Sequence, residues 1–256
     1  MQILVVNPNT TASMTIKIAA AARAVSAVGT EVVAVNPSMG PESIEGYYDE
    51  ALSVPGLLAE IRSAPGIDAV VLACFDDCGL DAARCTTEAP VIGIGEAAFH
   101  MASLISNRFS VITTLSRAVP AVEHNLVRYG LSARCARVRA VDIYVLDLEA
   151  PGSNAFLRIS DEIARAKRED QAEAIVLGCA GMADLAAQLE AEHGIPVVDG
   201  VTAAVKLAES LVALGLRTSK IGGYAAPRPK AHIGILSDFS PRLALQSSPA
   251  ELMKVG

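Results

Sequence analysis

Short apolar runs alternate with longer stretches of helical period along most of the chain. Ile3–Val6 is fully apolar and ends at Asn7-Pro8. Thr10 and Thr11 then offer a cap for a helix running to Val25. Glu31–Val35 reads as a second strand, closed by Asn36-Pro37, with a loop rich in Gly, Pro and Ser to about Asp49. Helical patterns over 50–63, 79–85 and 96–105 interleave with apolar strands at 69–73 and 91–94. The scheme then repeats, with strands at 109–112, 137–141, 174–177 and 196–198. Helices are predicted at 117–129, 153–168, 182–192 and 202–214. Alternation of this kind implies α/β architecture with parallel sheets and helices on both faces. Beyond Gly222-Gly223 the period fades. Pro227, Pro229, Pro241 and Pro249 suggest a terminal arm lying over the surface.

An internal repeat organises this pattern. Ala69-Val70-Val71-Leu72-Ala73-Cys74 matches Ala174-Ile175-Val176-Leu177-Gly178-Cys179, 105 positions later. Val5-Val6-Asn7 likewise matches Val111-Ile112-Thr113, 106 positions later. The expectation is two pseudo-symmetric parallel-sheet α/β halves facing one another across a cleft. Residues 1–95 with about 203–230 would form the first half, 96–202 the second, and 231–256 a C-terminal tail. Ligands of such sheets bind beyond the carboxyl ends of strands. Asn7, Cys74, Thr113 and Cys179 should all sit there.

Composition narrows the classes. The 256 residues are 52% hydrophobic and 19% charged, which excludes a disordered chain. A net charge of -7 argues against a nucleic-acid or anionic-membrane surface. No apolar run approaches the roughly 18–20 residues of a membrane span. The first residues lack the charged start and long apolar stretch of a secretory signal. The expectation is a cytoplasmic protein whose five cysteines are reduced.

The chemistry points to Cys74 and Cys179. Each directly follows an apolar strand and precedes a turn and helix. Free amides and the helix dipole there favour a thiolate. A free cysteine beside a strand is ordinarily a small buried hydrophobe, and it is the matched pair that argues for more. Two thiols across one cleft suit proton transfer from one face of a carbon to the other, one acting as base and its partner as acid. Asp76 and Asp77, in the turn after Cys74, either cap the next helix or accept N–H groups of a substrate. As carboxylates they also oppose thiolate formation. Thr113, Thr114 and Ser116 supply hydroxyls at a strand end.

Other features are set aside. Cys78 is near enough to Cys74 in sequence to share the cleft, but the four histidines are scattered and no metal set forms around it. Gly93-x-Gly95-x-x-Ala98 lacks the context of a dinucleotide fingerprint. Glu96 reads as a first-turn acid of a helix. No lysine sits in a turn suited to a pyridoxal Schiff base.

Taken together, Ala73-Cys74, Gly178-Cys179, Asn7-Pro8-Asn9-Thr10, Asn36-Pro37-Ser38-Met39-Gly40-Pro41, the segment from Ser43 to Glu50, and Cys74-Phe75-Asp76-Asp77 resemble the aspartate/glutamate racemase superfamily. Within it they are similar to the hydantoin racemase branch, which also holds allantoin racemases. The resemblance covers Met1 to about Lys230. It implies an isomerase without cofactor or metal, with Cys74 and Cys179 as the catalytic pair. It implies a small-molecule substrate, a 5-substituted hydantoin, held around Asn7, Ile44, Phe75, Thr113, Thr114, Gly178 and Ala180, to which the reading of the turn adds Asp76 as acceptor. It also implies a homo-oligomer. Cys78 departs from the branch, which often has Thr or Pro there, and the segment after Lys230 is longer than expected.

The chemistry agrees independently. A hydantoin C5 proton lies beside a ring carbonyl, so its removal gives an enolate-like species that needs no electron-sink cofactor. Asp76 and Asp77 would repel a substrate carboxylate, which disfavours glutamate or aspartate. Allantoin, with a ureido group at C5, is the nearest alternative. A ligand-binding module with inert cysteines is the alternative of another class.

Overall fold

The computed structural model describes residues 1–150 and 152–241. Its strands form two parallel four-stranded sheets with the same internal order. In the first, β1 (Gln2–Val6), β2 (Glu31–Val35), β3 (Ala69–Leu72) and β4 (Val91–Gly93) run in the order β2-β1-β3-β4. In the second, β5 (Phe109–Thr113), β6 (Cys135–Ala140), β7 (Ala174–Gly178) and β8 (Val197–Asp199) run in the order β6-β5-β7-β8. The order and the equivalent strands bear out the duplicated α/β frame.

The inner strands read as unbroken apolar runs because they are covered on both faces. Their period of two divides the residues between two cores. Ile3, Val5, Val71, Phe109, Val111 and Val176 point into a central core between the sheets. That core is completed by α1 (Ala12–Val25), α4 (Ile94–Ile105), α5 (Val119–Arg128) and α8 (Gly200–Ala213). Leu4, Val6, Val70 and Leu72 face outward onto α2 (Tyr47–Ser63) and α3 (Leu80–Thr86). Ile112, Ile175 and Leu177 face α6 (Ala155–Arg165) and α7 (Ala186–His193) in the same way. α4 and α8 cross so closely that a Cβ on Gly200 would lie 2.5 Å from the Ile94 carbonyl oxygen.

Several local expectations change. Thr11 occupies the cap position of α1, but its hydroxyl donates to the Glu42 carbonyl (2.7 Å), tying down the 36–46 loop rather than the helix. α2 starts at Tyr47, three residues before the expected Glu50, directly after Gly46 at φ 146°. The helix expected over 153–168 ends at Arg165 and passes into a π-turn, Ala166–Asp170. That turn aims Asp170 at Arg139, a β6 side chain only 3% exposed. The helix expected from Met182 is a 3₁₀ turn (Ala180–Leu185) followed by α7. The terminal arm lies over the first sheet's side of the molecule. The Thr218 amide donates to the Glu88 carbonyl (2.9 Å), and Arg62 to that of Asp238 (3.1 Å). Pro249 lies outside the described residues. No helix among the described residues is long and apolar enough to cross a membrane.

Candidate active site

The carboxyl ends of β1, β3, β5 and β7 converge on one cavity of about 40 Å³ that opens to solvent. All ten residues expected from the sequence line it: Asn7, Ile44, Cys74, Phe75, Asp76, Thr113, Thr114, Gly178, Cys179 and Ala180. Pro8, Asn9, Met14, Ala118 and Val145 line it as well.

The two cysteines occupy equivalent places. Cys74 follows β3 and Cys179 follows β7, and the backbone amide two residues on, Asp76 and Gly181, favours the charged form of each sulfur. The turn carrying Cys74 is held by Asp77, in the left-handed region at φ 51°. Asp77 receives the Gly95 amide (3.1 Å), the Glu96 amide (2.8 Å) and the Tyr129 hydroxyl (2.7 Å). It therefore caps α4, not the helix that follows it in sequence. A Cβ on Gly93 would lie 2.1 Å from the Asp77 carboxylate, and one on Gly95 2.2 Å from the Phe75 carbonyl. These glycines keep the turn seated against the start of α4. In the second half the residue equivalent to Gly93 is Asp199, which caps α8 directly through the Val201 and Thr202 amides (2.9 Å each). Asn125 adds a bond to the Asp76 carbonyl (2.8 Å). Beneath the turn, the Cys78 thiol donates to the Cys74 sulfur at 3.0 Å.

The remaining walls are equally fixed. The Thr113 hydroxyl donates to the Gly178 carbonyl (3.2 Å). Asn7 gives its side-chain N–H groups to Asn9 (2.8 Å) and Thr15 (3.0 Å), so it braces the strand end while bordering the cavity. The Phe75 ring turns into the central core, edge-on to Phe99 at 5.3 Å. Ile44 and Val145 come from loops of opposite halves. The Glu45 carboxylate joins those loops by accepting the Val145 amide (2.9 Å).

The Asp/Glu/hydantoin racemase family model matches residues 3–208. The chain belongs to that family. It is 54% identical to a hydantoin racemase of Rhizobium meliloti over 91% of this chain and 98% of that protein. It is 47% identical to a hydantoin racemase of Pseudomonas sp. (strain NS671) over 93% and 97%. A solved structure of allantoin racemase from Klebsiella pneumoniae superposes with a TM-score of 0.92 at 49% identity, covering 94% of this chain and 100% of that one. The protein is thus an isomerase of the racemase type, acting on a small molecule.

In this racemase the surroundings of the thiols counter the expected effect of the amides. Burial pushes the Cys179 thiol up to about 11, against the opposing Gly181 amide and the Lys17 ammonium. The adjacent Cys78 thiol, burial and Asp76 hold Cys74 well above the ordinary thiol range. Amides at the strand ends are present as expected, but desolvation outweighs them. Burial, with Glu50 and Asp77 nearby, pushes Asp76 up to about 7. Burial also pushes Asp77 to about 7 despite its three donors. Burial raises Glu50, whose Oε1 has no hydrogen-bond partner among the described residues.

Sequence reasoning did not find Lys17, whose ammonium reaches the Gly181 carbonyl (2.9 Å) from the middle of α1. Nor did it find Glu45 or Val145, which act only once two loops 100 residues apart meet. Asn9 was within reach, since it lies in the Asn-Pro-Asn turn already singled out.

Proposed function

We propose that this racemase inverts 5-substituted hydantoins by carrying the C5 proton between Cys74 and Cys179. The observation that carries this reading is that both sulfurs border one small cavity from equivalent strand ends of a duplicated fold. One sulfur, as thiolate, takes the proton from C5. The other, as thiol, returns one to the opposite face, and the protonation states of the pair are exchanged after each turnover. Lys17 favours the charged form of Cys179 and Cys78 opposes that of Cys74, while Asp76 opposes both. The developing enolate oxygen is stabilised by the Thr114 hydroxyl, since that of Thr113 is spent on Gly178, and by strand-end amides, each strong donor worth about 3–4 kcal/mol. Asp76 accepts a ring N–H, as its half-buried carboxyl borders the cavity and has no hydrogen-bond partner among the described residues. The carbonyl beside C5 makes an electron-sink cofactor unnecessary.

The decisive experiment follows one pure enantiomer of a 5-substituted hydantoin by optical rotation in D₂O. Cys74→Ser and Cys179→Ser should each lose at least about 10³-fold in racemisation. Each should still exchange the C5 proton of one enantiomer, since one base remains. Near wild-type turnover in either variant would end the two-thiol assignment.

A second reading, allantoin as substrate, is favoured by the likeness to the Klebsiella allantoin racemase and by Asp76, which could accept the ureido N–H groups. Comparing allantoin with aliphatic and aromatic hydantoins, glutamate and aspartate separates the two. The same reading expects a cytoplasmic homo-oligomer, which light scattering on the purified chain would test.

A further inference from the structure

We propose that the turn after β3 is an oxidative modification site, in which Cys74 reacts with a small peroxide and Cys78 resolves the product as an intramolecular disulfide. The geometry assigns the roles. Cys74 is half-buried and borders the cavity, while Cys78 lies beneath it, 6% exposed. Their sulfurs are already joined by a 3.0 Å hydrogen bond. Cys179 stands on the other half of the cleft, the Cys85 thiol faces the Gly223 carbonyl, and Cys135 belongs to β6. Cys78 is therefore the thiol placed to meet an oxidised Cys74.

The chemistry balances with hydrogen peroxide as oxidant. The Cys74 thiolate attacks one peroxide oxygen. An S–O bond forms, the O–O bond breaks and hydroxide leaves, so the sulfur becomes a sulfenic acid. The Cys78 sulfur then attacks it. An S–S bond forms, the S–O bond breaks, and the hydroxyl leaves as water with the Cys78 proton. Two thiols and one peroxide give one disulfide and two waters, the peroxide taking both electrons. A two-oxygen molecule fits the narrow cavity, whereas Cys78 is shielded from bulky thiols. Rapid resolution also keeps Cys74 from the irreversible sulfinic acid. The disulfide removes one member of the proton-transferring pair. That consequence rests on the proposed racemisation mechanism, but disulfide formation itself does not.

The test uses the full chain. Tryptic peptide Ser63–Arg84 contains Cys74 and Cys78 and no other cysteine. After peroxide treatment and alkylation with iodoacetamide, it should appear unalkylated and lighter by two hydrogens. Racemisation should fall more than tenfold in parallel and return with dithiothreitol. In Cys78→Ser, measured against its own starting activity, excess peroxide should leave Cys74 as a sulfinic acid, and dithiothreitol should restore less than half. A doubly alkylated peptide, or a wild-type Cys74 that goes to sulfinic acid without a disulfide, overturns this proposal and leaves the racemisation mechanism standing. A complete disulfide with full activity overturns both. Should Cys78→Ser fail to fold, the wild-type peptide map still decides.

Discussion

Asp76→Asn isolates the charge that faces both thiols. Asp76 raises Cys74 and Cys179 together, and its own carboxyl sits at about 7. A unit charge at ~8 Å and an effective dielectric constant of about 20 is worth about 2 kcal/mol. Asp76 is half-buried, so solvent reduces this to about 0.7–1.4 kcal/mol, or about half to one pKa unit. The effect must also depend on pH. Near pH 6 the wild-type carboxyl is mostly protonated, and variant and wild type should react alike. By pH 8.5 it is ionised, and the Asn variant should be alkylated about three to ten times faster. Iodoacetamide labelling with peptide mapping reads the two thiols separately, Cys74 in Ser63–Arg84 and Cys179 in Glu169–Lys206. Substrate is absent from this assay, so a lost substrate contact cannot mimic the result. The stability follows from the same shift. The fold favours the neutral acid, so Asp76 contributes most below its unfolded value near 4, and that contribution is lost as pH rises through about 7. Asn has no such titration. The variant should gain about 1–2 kcal/mol on wild type between pH 5 and 8, after discounting for exposure and for sharing with Asp77. A rate ratio that stays flat with pH, or drops below one, would refute this electrostatic account.

Gly93→Ala should displace Asp77 from the start of α4, costing about 2–4 kcal/mol of stability and more than tenfold in racemisation as the Cys74 turn shifts; a thermal melt and a rate assay check it. Asp170→Ala leaves Arg139 buried with one partner fewer and should cost about 3–5 kcal/mol in guanidinium unfolding. Burial opposes the Asp170 charge, but the Arg139 and Ser110 bonds prevail and hold its pKa below the ordinary value. The stability it brings is therefore present at neutral pH and lost on acidification. Glu45→Ala unpins the Ile44 and Val145 loops and should raise KM about three- to tenfold with kcat within about threefold, measured by steady-state polarimetry.

The frame was legible because its signal is local. Unbroken apolar runs mark strands covered on both faces, and the repeated Cys-bearing strand ends announced both halves and the cleft. The site residues at strand ends border the cavity because a strand's carboxyl end is readable from sequence, while Ile44, in a loop, came only with the family resemblance and Ser116 turns away to Asp142. What escaped depends on partners distant in the chain. Asp77 looks like a cap for the helix that follows it, yet it caps α4 because Gly93 leaves the space. Gly93 and Gly95 mimic a dinucleotide motif, while their use is to admit that carboxylate and the Phe75 carbonyl. The thiol pKa direction was open in sequence because amides, carboxylates and burial compete, and only packing decides the balance. The end of α6 was misjudged because the π-turn answers to Arg139, a strand residue whose burial no local pattern reveals.

The continuous core between the sheets limits how this enzyme can breathe. Ile3, Val5, Val71, Phe109, Val111 and Val176 are each 0% exposed, and each buried side chain contributes about 1.5–3 kcal/mol. Prising the halves apart would therefore forfeit as much as the 5–15 kcal/mol that holds a typical domain folded. The molecule is welded along its middle and cannot work as a clamshell. The outer walls of the cavity, the Ile44 and Val145 loops, lie outside that core and are joined by the Glu45 contact instead.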